Sequence, residues 1–283
     1  MLPPQGHFSP ASLSPLELAF VRRLVGRHTG VVLGEEKAFM VNCRLEIFVR
    51  TRGIPSTRHL YNRLIADGGQ AFTEAVVDCL LTKETSFFRN PAMFETLKSH
   101  VVPEIRARSN PSRLRVWSAA CSTGQEPYSV AMLLADIGAF QAPGELDLLA
   151  TDISSSALEQ SLLGEYSQME ISRGLPVTHL VRYFRQEGHR WCIDPAIKAR
   201  VRFQRLNLLE SERSMGLFDI ILCRNVGIYF SDQDKAWMVR RMLASLAPGG
   251  YLFLGSSESA SRYSDELEYQ MWNNVIYYLR KDS

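Results

Sequence analysis

From Ser14 to about Leu81 the apolar positions recur at helical spacing. "SPLE" at 14–17 puts Ser at an N-cap, Pro at the first helical position and Glu two further on, the pattern of a capping box. Leu16, Phe20, Leu24 and Val25 follow on one face, and Gly30 is placed to end the helix. A second helix is predicted from Glu35 to Arg52, with Val41, Leu45 and Phe48 inward and Gly53 as its stop. "STRHLYNRLIADGG" and "AFTEAVVDCLL" predict two more. No strand pattern interrupts them, so residues 12–89 read as a small all-helical domain. From Asn90 a new helix begins, with Asn90 as N-cap and Pro91 at its first position.

After Arg113 the period changes. "RLRVWSAAC", "LDLLATD", "RVRFQRLNLL", "FDIILCRN", "GYLFLGSS" and "NVIYYLRK" read as strands. "EPYSVAMLLADIG", "SSALEQSLLGEY" and "DQDKAWMVRRMLASLAPGG" read as the helices among them. Strands alternating with helices predict an α/β domain over 90–283, with a parallel doubly wound sheet and right-handed crossovers. Residues 181–203 break the alternation. They read either as a small β insertion, a hairpin turning at Glu187–Gly188, or as an irregular helix-to-strand connection.

Composition narrows the class. The 283 residues are 46% apolar and 22% charged, ordinary for a folded soluble chain. A net charge of +2 gives no nucleic-acid footprint. A local excess of cations runs through Arg22, Arg23, Arg27, Lys37, Arg44, Arg50, Arg52, Arg58 and Arg63; it reads as a solvated face or as a surface for an acidic partner. The five cysteines, with no C-x-x-C pair, indicate neither a disulfide framework nor a zinc site. The start lacks an apolar leader, and no run approaches the ~20 residues of a membrane helix, so a cytoplasmic protein with no membrane insertion is expected.

An open parallel sheet binds ligands at the carboxyl ends of its strands. Those ends carry "AACSTGQEPYS", Asp152, Asn207 and "RNVGIYF". The first loop has Gly124 but not the three glycines of a dinucleotide fingerprint, which argues against NAD or FAD. Asp152 reads as an acceptor for ribose hydroxyls or as the N-cap of the next helix. Glu126 reads as a partner of the helix dipole or of an ammonium group. Asn225 offers a donor and an acceptor, suited to an adenine edge. "LLTKETSFFRNP" at 80–91 reads as a hydrophobic plug with a solvated Arg, or as a lid over an active site.

Together "LTKETSFFRNP", "VWSAACSTGQEPYSVAM", "LLATDIS", "FDIILCRNVGIYF" and "LAPGGYLFLGSSES" resemble the chemotaxis receptor methyltransferases of the CheR type, over nearly the whole chain. The resemblance implies a class I S-adenosylmethionine-dependent methyltransferase with a Rossmann-like sheet, an N-terminal helical domain and a small antiparallel β insertion. It implies S-adenosyl-L-methionine as donor, S-adenosyl-L-homocysteine as product, no metal, and glutamate side chains of a methyl-accepting chemoreceptor's cytoplasmic domain as acceptors. It places Thr85, Arg89, Glu126, Asp152, Asn207, Leu208, Asn225 and Val226 at the cofactor, and Arg89 and Tyr229 closest to the transferred methyl. A monomer is expected.

The chain departs from the family at Lys83, where Asn is usual, and at Gly227, where an aliphatic residue is usual. Its turn at 187–188 is shorter than in members that grip a receptor's tail peptide. Two other readings fit the residues: a non-catalytic adaptor that binds receptor or S-adenosylmethionine, and a methyltransferase for a small molecule. In the methyltransferase reading, Phe87 and Phe88 are expected to exclude water above the methyl group.

Overall fold

The computed structural model describes residues 13–109, 113–140, 142, 144–210 and 215–281. Residues 1–12, read above as lacking a leader's apolar run, lie outside the described residues. The chain divides into two compact units, one up to Thr82 and one from Lys83, so the division falls ahead of the junction expected at 89/90.

The first unit is helical. Helix Pro15–Thr29 opens on the capping box of Ser14 and Glu17 and ends on Gly30 in the left-handed region. Its inward stripe is Leu18, Val21 and Val25, whereas Leu16, expected on that face, is 83% exposed. The stripe shifts because Glu17 turns inward, closing the capping box on Ser14 and pairing with Arg58. Helix Ala38–Thr51 buries Val41, Leu45 and Phe48 as its spacing predicts, after a 3-10 turn at Glu35–Lys37. Helices Thr57–Ile65 and Gln70–Leu80 complete the unit. Arg44 donates to the carbonyls of Leu80 (2.7 Å) and Leu81 (2.9 Å), closing the last helix's C-terminus where cations are favoured.

The second unit is built on a seven-stranded sheet among the described residues. In chain order the strands are β1 (Leu114–Ala119), β2 (Leu146–Asp152), β3 (Glu165–Ser167), β4 (Phe184–Glu187), β5 (Arg190–Ile193), β6 (Val201–Arg205), β7 (Phe218–Cys223), β8 (Leu246–Leu254), β9 (Leu267–Trp272) and β10 (Val275–Arg280). The large sheet runs β6-β2-β1-β7-β8-β10-β9. β6, β2, β1, β7 and β8 pair in parallel, and β10 and β9 are antiparallel. β9 is absent from the sequence reading. It exists because Asn273 (φ 48°) and Asn274 (φ 58°) form a two-residue turn with both central residues left-handed, a geometry Asn tolerates. No helix among the described residues is long and apolar enough to cross a membrane.

β3, β5 and β4 form a second, three-stranded antiparallel sheet. The hairpin expected at Glu187–Gly188 is β4–β5, and β3 adds a strand well before the expected start of the insertion. Helix Gln125–Asp136 anchors this region through Asp136. Its carboxylate accepts from Arg182 (2.8 Å) and the Tyr183 hydroxyl (2.6 Å), and lies 2.8 Å from His179 Nε2.

The Phe pair belongs to the core of this unit. Phe87 is fully buried, edge-on to Tyr166 (4.9 Å) and Phe184 (5.4 Å). Phe88 packs on Phe94 (5.0 Å) and His179 (4.6 Å), and its N–H donates to Ser129 Oγ at 2.9 Å. Gly174 lies so close that a Cβ there would come within 2.3 Å of the Phe87 carbonyl oxygen. The plug reading therefore holds, and the water-excluding face expected of Phe87 and Phe88 does not. They anchor the loop and leave Arg89 half-exposed. Asn90 does precede the helix Pro91–Thr96, but at φ 66° its side chain makes no capping bond.

Two predictions follow from this packing. Phe87→Ala removes a fully buried ring and is expected to cost about 3–5 kcal/mol in urea unfolding; an unchanged midpoint would contradict the anchoring role. Burial holds the His179 pKa below its usual 6.5, with Asp136 opposing and Arg182 and Lys98 assisting. The unfolded chain then takes up this proton at higher pH than the folded one. His179 thus contributes its full stabilisation above 6.5 and loses it as pH falls below. The fall in urea midpoint from pH 7 to about 5.5 is expected to be smaller in His179→Gln than in the parent.

Candidate active site

The residues singled out in the sequence lie at or just beyond the carboxyl ends of β1, β2, β6 and β7, with Glu126 in the first turn of helix Gln125–Asp136, or on the loop 83–89. Helix Gln125–Asp136 follows β1 through Gly124, which has φ 91°. A Cβ on Gly124 would meet Ser161 Oγ at 3.0 Å and the Tyr166 hydroxyl at 3.2 Å. This glycine therefore answers to packing within the protein. Tyr166 also donates to the Thr123 carbonyl at 2.9 Å, so the small sheet braces the first loop from beneath.

Asp152 ends β2. Its carboxylate accepts the Ser122 N–H at 2.7 Å and the Ser154 N–H at 2.8 Å, so it joins the loops after β1 and β2. The N-cap reading of Asp152 is overturned. Ser154 caps the helix Ser155–Leu163, its hydroxyl accepting from Ala157 N. The loop after β6 is drawn to the same place, Leu206 N–H donating to the Asp152 carbonyl at 3.0 Å. Asn207 is half-buried and accepts the Leu209 N–H at 3.0 Å, while Leu208 is buried beside it.

Glu126 has a partner that neither sequence reading supplied. Arg224, directly after β7, donates from Nη1 to Glu126 at 2.9 Å and from Nη2 to the Arg89 carbonyl at 2.8 Å. The other Glu126 oxygen accepts from Ser118 Oγ at 2.8 Å. The Arg224 and Glu126 side chains are 5% and 12% exposed, so this is a desolvated ion pair that also holds the loop bearing Arg89. Arg224 was legible in one respect: an Arg closing a buried apolar strand requires a partner.

Asn225 stands at φ 59°, and its N–H donates to Glu258. Val226 leads into the 3-10 turn Gly227–Tyr229. A Cβ on Gly227 would lie 3.0 Å from Glu258 Oε1 and 3.1 Å from Met238 Cε, so the space of the missing aliphatic side chain is already lined. Lys83 bridges two loops: its carbonyl accepts from Ser122 Oγ at 2.8 Å and its Nζ donates to Ser156 Oγ at 2.5 Å. Thr85 and Arg89 follow on this strap, and Arg89 Nη1 donates to the Glu84 carbonyl at 3.3 Å. Among the described residues, no hydrogen bond joins the Tyr229 hydroxyl to Arg89. Burial, reinforced by Asp152 and Glu126, pushes the Cys121 thiol well up; Cys223 is pushed up by burial, then by Glu258 and Glu126. Both are held as neutral thiols.

Parallel strands whose carboxyl ends gather carboxylates and amides beside the strap 83–89 place this unit in the doubly wound class, whose ligands bind at such strand ends. The chain belongs to the CheR methyltransferase family. Residues 83–276 match the family's SAM binding domain and residues 16–81 its all-alpha domain. It is 42% identical over 267 residues to a chemotaxis protein methyltransferase, Cher2, of Pseudomonas putida, covering 92% of this chain and 95% of that one. It is 41% identical over 264 residues to chemotaxis protein methyltransferase 1 of Pseudomonas aeruginosa, with the same coverage. With the Escherichia coli chemotaxis protein methyltransferase the identity is 35% over 280 residues, 96% of this chain and 93% of that one.

Arg224→Ala leaves a largely buried Glu126 without its counter-charge and is expected to lower the unfolding free energy by about 3–5 kcal/mol. Adding Glu126→Gln should restore part of that loss in a double-mutant cycle followed by urea unfolding. Strictly additive effects would show that the pair is not coupled.

Proposed function

We propose that this chain transfers a methyl group from S-adenosylmethionine to the side-chain carboxylates of specific glutamates in chemoreceptor cytoplasmic domains. The products are a glutamate γ-methyl ester and S-adenosylhomocysteine. What supports this most is the match of both units to one methyltransferase family, together with a strap bearing Thr85 and Arg89 that is tied to the strand ends by Arg224 and Ser122.

The donor set suits the cofactor's groups. Asp152 would hold the ribose hydroxyls, Asn207, Leu208, Asn225 and Val226 the base and the adjoining chain, and Thr85, Arg89 and Glu126 the amino-acid end. Bound there, S-adenosylmethionine supplies an electrophilic methyl on a sulfonium, which becomes a neutral thioether on transfer. An acceptor glutamate with a pKa near ~4.3 is ionised about 500 to one at pH 7, so no general base is required. One carboxylate oxygen forms the bond to carbon as the carbon–sulfur bond breaks, the electron pair stays on sulfur, and no proton moves. The protein's task is alignment, for which well-oriented pairs gain roughly 7–11 kcal/mol. Arg89 orients a carboxylate in its planar fork and Tyr229 offers a hydroxyl to the acceptor. No metal enters this chemistry, and one chain carries every residue it uses.

Docking falls to the helical unit. Arg22 lies 3.8 Å from Glu35, Arg44 caps a helix, Arg58 pairs with Glu17, and Arg52 and Arg63 lie over Phe48 and Phe72, which leaves Arg23, Arg27, Lys37 and Arg50 as exposed cations for an acidic receptor helix. The protein works in the cytoplasm, where those receptor domains lie.

The test uses labelled S-adenosylmethionine with receptor cytoplasmic fragments and their Glu→Ala controls. Alkali-labile methyl incorporation that releases methanol and disappears in the controls is expected. Arg89→Ala should reduce turnover at least about a hundredfold, a loss of ~2.7 kcal/mol, and Arg50→Glu should raise KM for the receptor. Absence of labelling with cofactor binding intact would overturn the assigned acceptor.

A further inference from the structure

β7 and β8 lie side by side in parallel, and their carboxyl ends deliver Arg224–Val226 and Gly255–Glu258 to the same edge of the site. Glu258 is joined to both. Its Oε2 accepts the Asn225 N–H at 2.6 Å and the Gly255 N–H at 2.6 Å. Its own N–H donates to the Gly255 carbonyl at 2.9 Å, so the Gly255–Glu258 turn is closed at both ends of one residue. Its other oxygen, Oε1, is buried beside Gly227 and has no hydrogen-bond partner among the described residues.

This carboxylate stands opposite a strained backbone. Asn225 is held at φ 59°, in the left-handed region that Asn enters more readily than other non-glycine residues but keeps only where its surroundings hold it. Short bonds from amides to a carboxylate are charge-assisted and about twice as strong as neutral ones. The approach is also close in space. A Cβ on Gly255 would fall 2.4 Å from Glu258 Oε2, 2.7 Å from Asn225 Nδ2 and 2.9 Å from Asn225 N. Arg224 fixes one side of the loop after β7 through Glu126 and the Arg89 carbonyl. Glu258 fixes the other side by holding the Asn225 N–H, where the chain turns toward Val226 and the turn Gly227–Tyr229.

We propose that Glu258 is a positioning residue, a carboxylate clasp across the ends of β7 and β8 that sets the direction in which Asn225 and Tyr229 face the site. The proposal deepens the methyltransferase reading and rests on it. Any acceptor with two lone pairs at the Oε2 position serves the clasp, so Gln is expected to replace Glu where Ala does not. A role confined to stability would lower the melting temperature of Glu258→Ala and leave the folded enzyme's constants alone.

The experiment compares the parent chain with Glu258→Ala, Glu258→Gln and Gly255→Ala, which wedges the same contact from the β8 side. S-adenosylmethionine binding is followed by calorimetry, turnover with a receptor fragment, and amide proton shifts by 1H–15N NMR. Glu258→Ala is expected to weaken cofactor binding and to lower kcat by about tenfold to a hundredfold each, the scale of either of the two charge-assisted hydrogen bonds it removes. Glu258→Gln should stay within about threefold of the parent, and Gly255→Ala should resemble Glu258→Ala. The amide protons of Asn225 and Gly255 should lie downfield in the parent and move upfield together in Glu258→Gln. Parental constants in Glu258→Ala would overturn the proposal, and so would unmoved Asn225 and Gly255 amides. If Glu258→Ala does not fold, Glu258→Gln and Gly255→Ala decide by the same readouts. A parent chain that bound no S-adenosylmethionine would defeat the methyltransferase reading, and the amide shifts would still decide whether the clasp exists.

Discussion

The active end of the second unit depends on one buried guanidinium. Arg224 leaves β7 into a desolvated space and finds Glu126 from the helix after β1 and the Arg89 carbonyl from the strap. A buried ion pair of this kind is weak evidence for stability, since desolving both charges offsets much of their attraction. Its value lies in geometry. A planar fork has fixed directions, and a carboxylate and a carbonyl placed along them fix three segments distant in sequence. Phe87, Phe88 and the Ser122 hydroxyl anchor the strap's two ends, and Arg224 adds the bond to the Arg89 carbonyl.

Much of the architecture can be read from the chain because period and punctuation agree. "SPLE" and Gly30 bracket the first helix, and "LDLLATD" matches β2 residue for residue. What escapes the reading depends on partners remote in sequence. Leu16 follows its helical period outward because the Glu17–Arg58 pair, joining two helices, turns the face. β3 is too short to show a period and is a strand only because β5 lies beside it. β9 alternates weakly and is fixed by the Asn273–Asn274 turn. At the site, residue types at strand ends were legible, whereas their bonds were not. Asp152 could be seen to end a strand, but its grip on Ser122 N–H needs the fold. Arg224 and Glu258 look like unremarkable members of "CRN" and "SSES" until β7 and β8 are paired.

The Phe pair shows how the same residues support two mechanisms before the fold is known. Aromatics next to an Arg on an interdomain loop suit a lid. Packed on Tyr166, Phe184, Phe94 and His179, they are part of the second unit's core and anchor the loop. The second arrangement makes the small antiparallel sheet part of the active site's support: Tyr166 braces both Phe87 and the Thr123 carbonyl. A change in that sheet would therefore reach the strap and the first loop together.

The chemistry explains why support of this kind matters more here than reactive side chains. An ionised acceptor and a sulfonium need no proton transfer, so the protein contributes by where it holds groups that are already reactive. Holding requires backbone bent out of its ordinary basins. Phe88, Asn90, Ala120, Ser122 and Asn225 all have positive φ, and all lie on the loops that border the site. Each such residue costs of order 1–3 kcal/mol and persists only where its surroundings determine it. The surroundings are identifiable: Ser129 at Phe88, Asp152 at Ser122, Glu258 at Asn225. In each case an oxygen from a neighbouring element accepts the N–H of the strained residue. Relaxing any one of these residues would forfeit that bond and loosen the loop that carries it.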